Sequence, residues 1–137
     1  DYSEKVYERE PEVLSHVESA EYNWDAIKEG MHLVVNYPGN QQLYELFAKC
    51  KFTRTGANGQ YGVNGKTGTA QKGEGITNDG MFICYAPADD PEIAIAVVVE
   101  RGGSGANTAF IAKNILDAYY VIRGYSDSSE EEMALLK

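Results

Sequence analysis

Long apolar runs, clustered cysteines and an excess of basic charge are all missing from this 137-residue chain. Its longest apolar stretch, Ile93 to Val99, falls far short of the roughly 20 residues that a membrane-spanning helix needs, and its Ile/Val content suits a buried strand. No basic-plus-apolar leader opens the chain, which starts Asp1-Tyr2-Ser3-Glu4; the missing first methionine points to a trimmed chain. Cys50 and Cys84 lie too far apart for a Cys-x-x-Cys motif, and with only His16 and His32 beside them no zinc site is legible. Both cysteines read as free, buried or half-buried thiols, with a Cys50–Cys84 disulfide left open. Twelve basic against 21 acidic residues give a net charge of −9. That balance repels phosphate backbones and anionic lipid, so nucleic acid is excluded as a partner and the acidic excess reads as a solvated surface.

What is present fits one globular domain with a modest core: 43% of residues are apolar and 11% aromatic. Val6 to Val17 reads as irregular, extended chain with at most one short strand. Trp24, Ile27, Met31, Val34 and Val35 recur at helical spacing, which predicts a helix over 24–35 capped by Asn23 and leaves His32 on another face. A short helix over 41–49, capped by Asn40, would bury Leu43, Leu46, Phe47 and Cys50. Gly, Asn and Thr dominate Thr53 to Asn64 and mark turns.

Period-two alternation then predicts a strand from Tyr61 through Lys66 and Thr67. Gly73-Glu74-Gly75 and Asn78-Asp79-Gly80 read as a hairpin loop. Met81 to Ala86 is a second strand, stopped by Pro87. Glu92 to Glu100 is a third, apolar on both faces and therefore expected at the sheet centre. Short links make the three an antiparallel meander. After Gly102-Gly103-Ser104-Gly105 a long helix is expected over 107–123, with Ile111, Ile115, Ala118, Tyr119 and Ile122 as its packing stripe and Gly124 as its stop. The fold class is thus α+β, a three-stranded antiparallel meander packed against helices. The acidic tail, 125–137, is expected to be mobile, with Ser128 and Glu131 able to cap a short helix.

Gly65-Lys66-Thr67-Gly68-Thr69 is the segment that carries chemistry. Read as a phosphate loop it lacks its leading glycine, because position 60 is Gln60. That motif also needs a helix directly after its Lys-Thr, where glycines follow here. Nucleotide binding is therefore the weakest reading. As an edge strand the segment does better. Alternation sends Lys66 and Gly68 to one face and Thr67 and Thr69 to the other, so an ammonium and hydroxyls become available to a carboxylate. Gly68 leaves room for a peptide-like ligand to pair with the backbone, and a backbone N–H beyond it can help hold an oxyanion.

Val63 to Gln71 resembles the Lys-Thr-Gly motif of penicillin-binding proteins, within a superfamily that includes the serine β-lactamases. The surroundings extend the resemblance over residues 12 to 123. Met81 to Pro87, Ile93 to Glu100, Gly102 to Gly105 and the helix ending Ile115 to Tyr120 are similar to that family's terminal hairpin and helix. Trp24 to Val35 resembles the helix preceding the motif in class B members, and Ala70-Gln71 favours a transpeptidase over a β-lactamase. The resemblance implies a partial penicillin-binding-protein transpeptidase fold over 1–124 and no cofactor. It implies that Lys66 sets the electrostatics of a nucleophile and attracts a substrate carboxylate. The hydroxyls of Thr67 and Thr69 would contact that carboxylate, with Gly68 beside them and a twist at Gly68 expected to bring the hydroxyls into one cleft. The Thr69 N–H would form half of an oxyanion hole. Implied partners are peptidoglycan stem peptides, β-lactams and the remainder of a transpeptidase domain, at the extracytoplasmic face of a bacterial membrane.

The same family uses the serine of Ser-x-x-Lys as nucleophile, followed by Ser-x-Asn. No serine here has lysine three residues on, and no Ser-x-Asn occurs. Both motifs precede Lys-Thr-Gly in the family, so truncation is the expected explanation and the chain alone is expected to be inactive. A non-catalytic module that binds D-Ala-D-Ala peptides or β-lactams stands as the alternative. One sheet edge is expected to lack a partner strand and to promote self-association. Ser15-His16 is no nucleophile pair, since neighbours on a strand point apart. Asp89-Asp90 reads as a turn rather than a metal site, and the ten tyrosines as packing residues.

Overall fold

Helical spacing of apolar residues after Trp24 folds as α1 (Glu21–Asn36) in a computed structural model that describes residue 10 and residues 12–48 and 62–123. The helix starts three residues before the expected position, with Ala20 as its N-cap. Nothing at Glu21 or Tyr22 breaks a helix, and Glu21 suits the positive end of the helix dipole. Asn23 is therefore not a cap; its side chain donates to the Ser19 hydroxyl at 2.9 Å. Residues 12–20, before α1, form no strand.

After a short turn, α2 (Gln41–Ala48) buries Leu43 and Phe47, as its spacing requires. Cys50 and the turn-rich stretch up to Tyr61 lie outside the described residues. The Asn40 carbonyl accepts from the Tyr44 N–H, while its side chain reaches back to the Val34 carbonyl at 2.6 Å and ties the α1–α2 connection.

The sheet is an antiparallel meander of β1 (Asn64–Ala70), β2 (Asp79–Ala86) and β3 (Ile93–Val99), in that order. The central strand is β2, not β3 as its apolar content suggests. Ala94, Ala96 and Val98 of β3 are exposed among the described residues, so its two-faced apolarity does not reflect central burial here. Asp79 and Gly80 belong to β2 instead of the loop. Glycine at 80 is required by packing: a Cβ there would stand 2.6 Å from the Ser104 carbonyl oxygen and 2.7 Å from Thr108 Cγ2. The Ala86–Pro87 peptide, where β2 ends, is cis.

Helix α3 (Gly105–Ile122) starts two residues early, because Ser104 is its N-cap and accepts from the Asn107 N–H at 3.4 Å. Its buried stripe is Thr108, Ala109, Ala112, Leu116 and Tyr120. Most of the expected stripe faces outward: Ile111, Ile115 and Ala118 are exposed and Ile122 is 83% exposed, while Tyr119 packs half-buried against the core. The helix is apolar on most sides, so hydrophobicity alone does not choose the face. Small residues do, since Gly105, Ala109 and Ala112 allow close approach to the sheet. The core joins that stripe to Val35, Leu43, Phe47, Val63, Phe82, Cys84, Ala86 and Val97. Phe47 and Phe82 stack at its centre with ring centroids 5.7 Å apart. Gly124 and the tail lie outside the described residues.

Candidate active site

The motif residues occupy β1, paired in register with β2: Lys66 opposite Ile83, Thr67 opposite Phe82, Gly68 opposite Met81 and Thr69 opposite Gly80. Residues opposite one another share a face. Thr67 and Thr69 thus lie on the face of buried Phe82, toward the helices, while Lys66 lies on the face of half-exposed Ile83. No twist at Gly68 is needed to align the two threonines, because alternation returns every second residue to the same face and pairing continues through Gly68. Lysine and threonines stand on opposite faces, and the strand edge is where a single ligand can meet both. Among the described residues no strand pairs with that edge of β1. Lys66 is exposed, and its Nζ donates to the Thr67 carbonyl at 2.6 Å.

Helix α3 presses its first turn against the middle of the motif. A Cβ on Gly105 would stand 2.6 Å from both the N and O of Gly68, and closer still to the Met81 carbonyl oxygen. The Gly105 N–H donates to Thr69 Oγ1 at 3.3 Å. The positive end of an 18-residue helix therefore abuts the Gly68-Thr69 backbone. At the end of β1, Asp79 stands opposite Ala70. Its carboxylate accepts from Lys72 Nζ at 2.8 Å and from the Arg101 N–H at 2.8 Å. The Lys72 bond first, then the Arg101 N–H, holds the Asp79 carboxyl below the usual carboxylate range. Arg101, at φ 55°, sits in the left-handed region of the turn after β3.

At the opposite end of β1 stands a polar group that helical periodicity did not reveal. Asn64 is buried; its Nδ2 donates to Tyr85 Oη at 2.7 Å, and its Oδ1 lies 3.2 Å from His32 Nδ1. His32, expected on an outer face of α1, is half-buried against β1. Asn36 adds a donor to the Val63 carbonyl at 3.1 Å. The sequence signal was the i, i+4 pair His32 and Asn36 on one helix face, visible only once β1 is known to lie against it. Cys84, opposite Gly65, is a buried free thiol whose pKa desolvation pushes up to about 12.

The remaining candidates do not join this site. His16 is exposed and lies 3.8 Å from Glu18 Oε1. Strand, not helix, follows Lys66-Thr67, so no helix N-terminus succeeds the lysine as a phosphate loop demands. No helix among the described residues is long and apolar enough to cross a membrane.

Residues 2–117 match the family model of the penicillin-binding protein transpeptidase domain. The chain is 32% identical over 102 residues to the peptidoglycan D,D-transpeptidase MrdA of Haemophilus influenzae, covering 70% of this chain and 16% of that protein. It is 39% identical over 77 residues to MrdA of Acinetobacter baumannii, covering 46% of this chain and 12% of the relative. It thus spans about a sixth or less of the length of these curated relatives. In fold it is similar to the crystal structure of Pseudomonas aeruginosa PBP2 in complex with WCK 5153, with a TM-score of 0.56 at 32% identity, over 82% of this chain and 23% of that one. An α+β fold with the Lys-Thr-Gly strand at a sheet edge and a match over residues 2–117 make this chain a member of the penicillin-binding protein transpeptidase domain family, of the class B type.

Proposed function

We infer that this chain supplies the Lys-Thr-Gly wall of a peptidoglycan D,D-transpeptidase site. The observation that carries this reading is the place of Lys66 to Thr69 on an edge strand, with Lys66 exposed and no strand on the outer side among the described residues. A stem peptide ending in D-Ala-D-Ala extends along that edge and pairs with its backbone. The Lys66 ammonium draws the terminal carboxylate by charge, and the hydroxyls of Thr67 and Thr69 orient it. Thr69 Oγ1 accepts from Gly105 on one side and keeps its own proton for a carboxylate oxygen. The Thr69 N–H, close to the start of α3, serves as one donor of an oxyanion hole, in a position where the helix dipole favours negative charge.

Acyl transfer then runs from the stem peptide through a serine ester, with D-alanine leaving, at the extracytoplasmic face of the membrane. β-Lactams acylate the same serine. That serine is no residue of this chain, so the chain by itself neither turns over substrate nor takes up penicillin. The rest of a transpeptidase domain covers the other outer edge of the sheet, along β3, and leaves the β1 edge to substrate.

Intact-mass measurement after incubation with a reactive penicillin tests the inactivity: the mass stays unchanged, and an adduct of penicillin mass on a serine would refute it. Reading the coding sequence upstream tests the rest. Ser-x-x-Lys followed by Ser-x-Asn in the same frame is expected; a frame with neither, combined with Lys66-dependent binding of a D-Ala-D-Ala peptide, would make the chain a binding module instead.

A further inference from the structure

β1 has little means of its own to hold a fixed bearing. Two of its seven residues are glycines, and one of its edges has no partner strand among the described residues. Glycine costs more entropy to order than any other residue and offers no side chain to pack. A strand of that composition is positioned from outside, and the structure shows two anchors. One is the Thr69–Gly105 bond already described. The other is the buried carboxamide of Asn64, two residues before Lys66.

Asn64 joins three elements. Its Nδ2 donates to Tyr85 Oη of β2 at 2.7 Å, and its Oδ1 faces His32 Nδ1 of α1 at 3.2 Å. Asn36, one turn beyond His32, donates to the His32 carbonyl at 3.0 Å and to the Val63 carbonyl at 3.1 Å. Those two carbonyls occupy both amide hydrogens of Asn36, so its 3.1 Å approach to His32 Nδ1 needs no further proton from it. Nδ1 is then free to carry the proton and donate to Asn64 Oδ1. This assignment satisfies every partner at once, with the histidine as the Nδ1–H tautomer.

We propose that Asn64, clamped between His32 and Tyr85, is a positioning residue that sets the bearing of Lys66 to Thr69 against α1 and β2. This rests on the reading of β1 as the substrate-facing strand, which a separate arm of the experiment checks. The clamp tethers the start of the strand to a helix and the thiol-bearing central strand, while Thr69 tethers its end to α3. Lys66, Thr67 and Gly68 lie between the tethers, with Lys66 exposed and the outer strand edge unpaired among the described residues.

The test is NMR on the full 137-residue chain. Long-range ring nitrogen–proton correlations are expected to show neutral His32 as the Nδ1–H tautomer. Asn64→Ala is expected to release it from that single form and to speed hydrogen exchange of the β1 amides paired to β2 at least tenfold. Tyr85→Phe should speed exchange by a smaller factor, and Asn64→Asp, which can still accept from Nδ1–H, should recover part of the protection. Val98→Thr, on the exposed face of β3, should change neither readout. Wild-type His32 in the Nε2–H form would overturn the proposal even if every variant failed to fold. So would unchanged β1 exchange in a folded Asn64→Ala chain. Titration with a D-Ala-D-Ala peptide forms the other arm: with the tautomer and exchange results in place, absent shifts at Lys66 to Thr69 would count against the substrate-facing reading and leave the clamp standing.

Discussion

Alanine at two glycines should act with opposite signs, and the structure sets both magnitudes. At Gly105 a Cβ would meet the backbone N and O of Gly68 at 2.6 Å and press harder on the Met81 carbonyl. None of these is the movable end of a side chain. The start of α3 must lift from the sheet, losing the 3.3 Å bond from Gly105 N–H to Thr69 Oγ1 and loosening Thr108 and Ala109 beneath it. Overpacking costs 1–3 kcal/mol as a rule, and rigid backbone partners place Gly105→Ala at about 3 kcal/mol. Gly30 lies inside α1 with nothing within 4 Å of its built Cβ. There alanine only reduces backbone entropy loss, so Gly30→Ala should stabilise by about 0.5–1 kcal/mol. Urea denaturation followed by circular dichroism reads both, as midpoint shifts in opposite directions at unchanged slope. For a chain of this size the Gly105 variant should also melt roughly 10 °C lower. A Gly105→Ala chain within about 0.5 kcal/mol of wild type would refute the close seating of α3 on the motif strand.

Two further outcomes follow from the packing. The Cys84 thiol, with its pKa pushed up from 9.0 to about 12, stays protonated in the fold while the unfolded chain ionises above pH 9. Its contribution is complete below pH 9 and is lost as pH rises toward 12. Between pH 9 and 10.5, under reducing conditions, wild type should lose on the order of 1–2 kcal/mol more stability than Cys84→Ala; parallel pH curves would contradict this. The open edge of β1 and the exposed apolar face with Ile83 at 48% and Val98 at 67% exposure should drive self-association, weakened by Val98→Lys. Light scattering that finds a monomer at high concentration would count against it.

The elements were legible where period and punctuation agreed. The meander, both helices before it and the strand through Lys66 follow from alternation, apolar spacing and turn residues. Errors arose where one signal had two causes. Gly80 reads as a turn glycine, yet it is there because the α3 backbone passes close to β2. The isoleucines of α3 outscore its alanines as core candidates, but the buried face begins with the small residues Gly105, Ala109 and Ala112 and only then takes in Leu116 and Tyr120. Likewise β3 has the composition of a central strand and, among the described residues, stands at an edge. Lys66 to Thr69 was found by motif, whereas the Asn64, His32 and Tyr85 cluster was not, since it depends on three elements meeting in space.

The central claim is that Lys66 to Thr69 form the charged wall of an acyl-transfer site. Its most direct test is the rate of penicillin acylation of the complete reading-frame product, comparing Lys66→Ala with Lys72→Ala. Lys72 pairs with Asp79 and lies beyond the end of β1, so its loss should leave the rate unchanged. Removal of the Lys66 ammonium should slow acylation by roughly 100-fold or more, the usual effect of deleting a preorganised electrostatic group. Equal rates in the two variants would contradict the assignment.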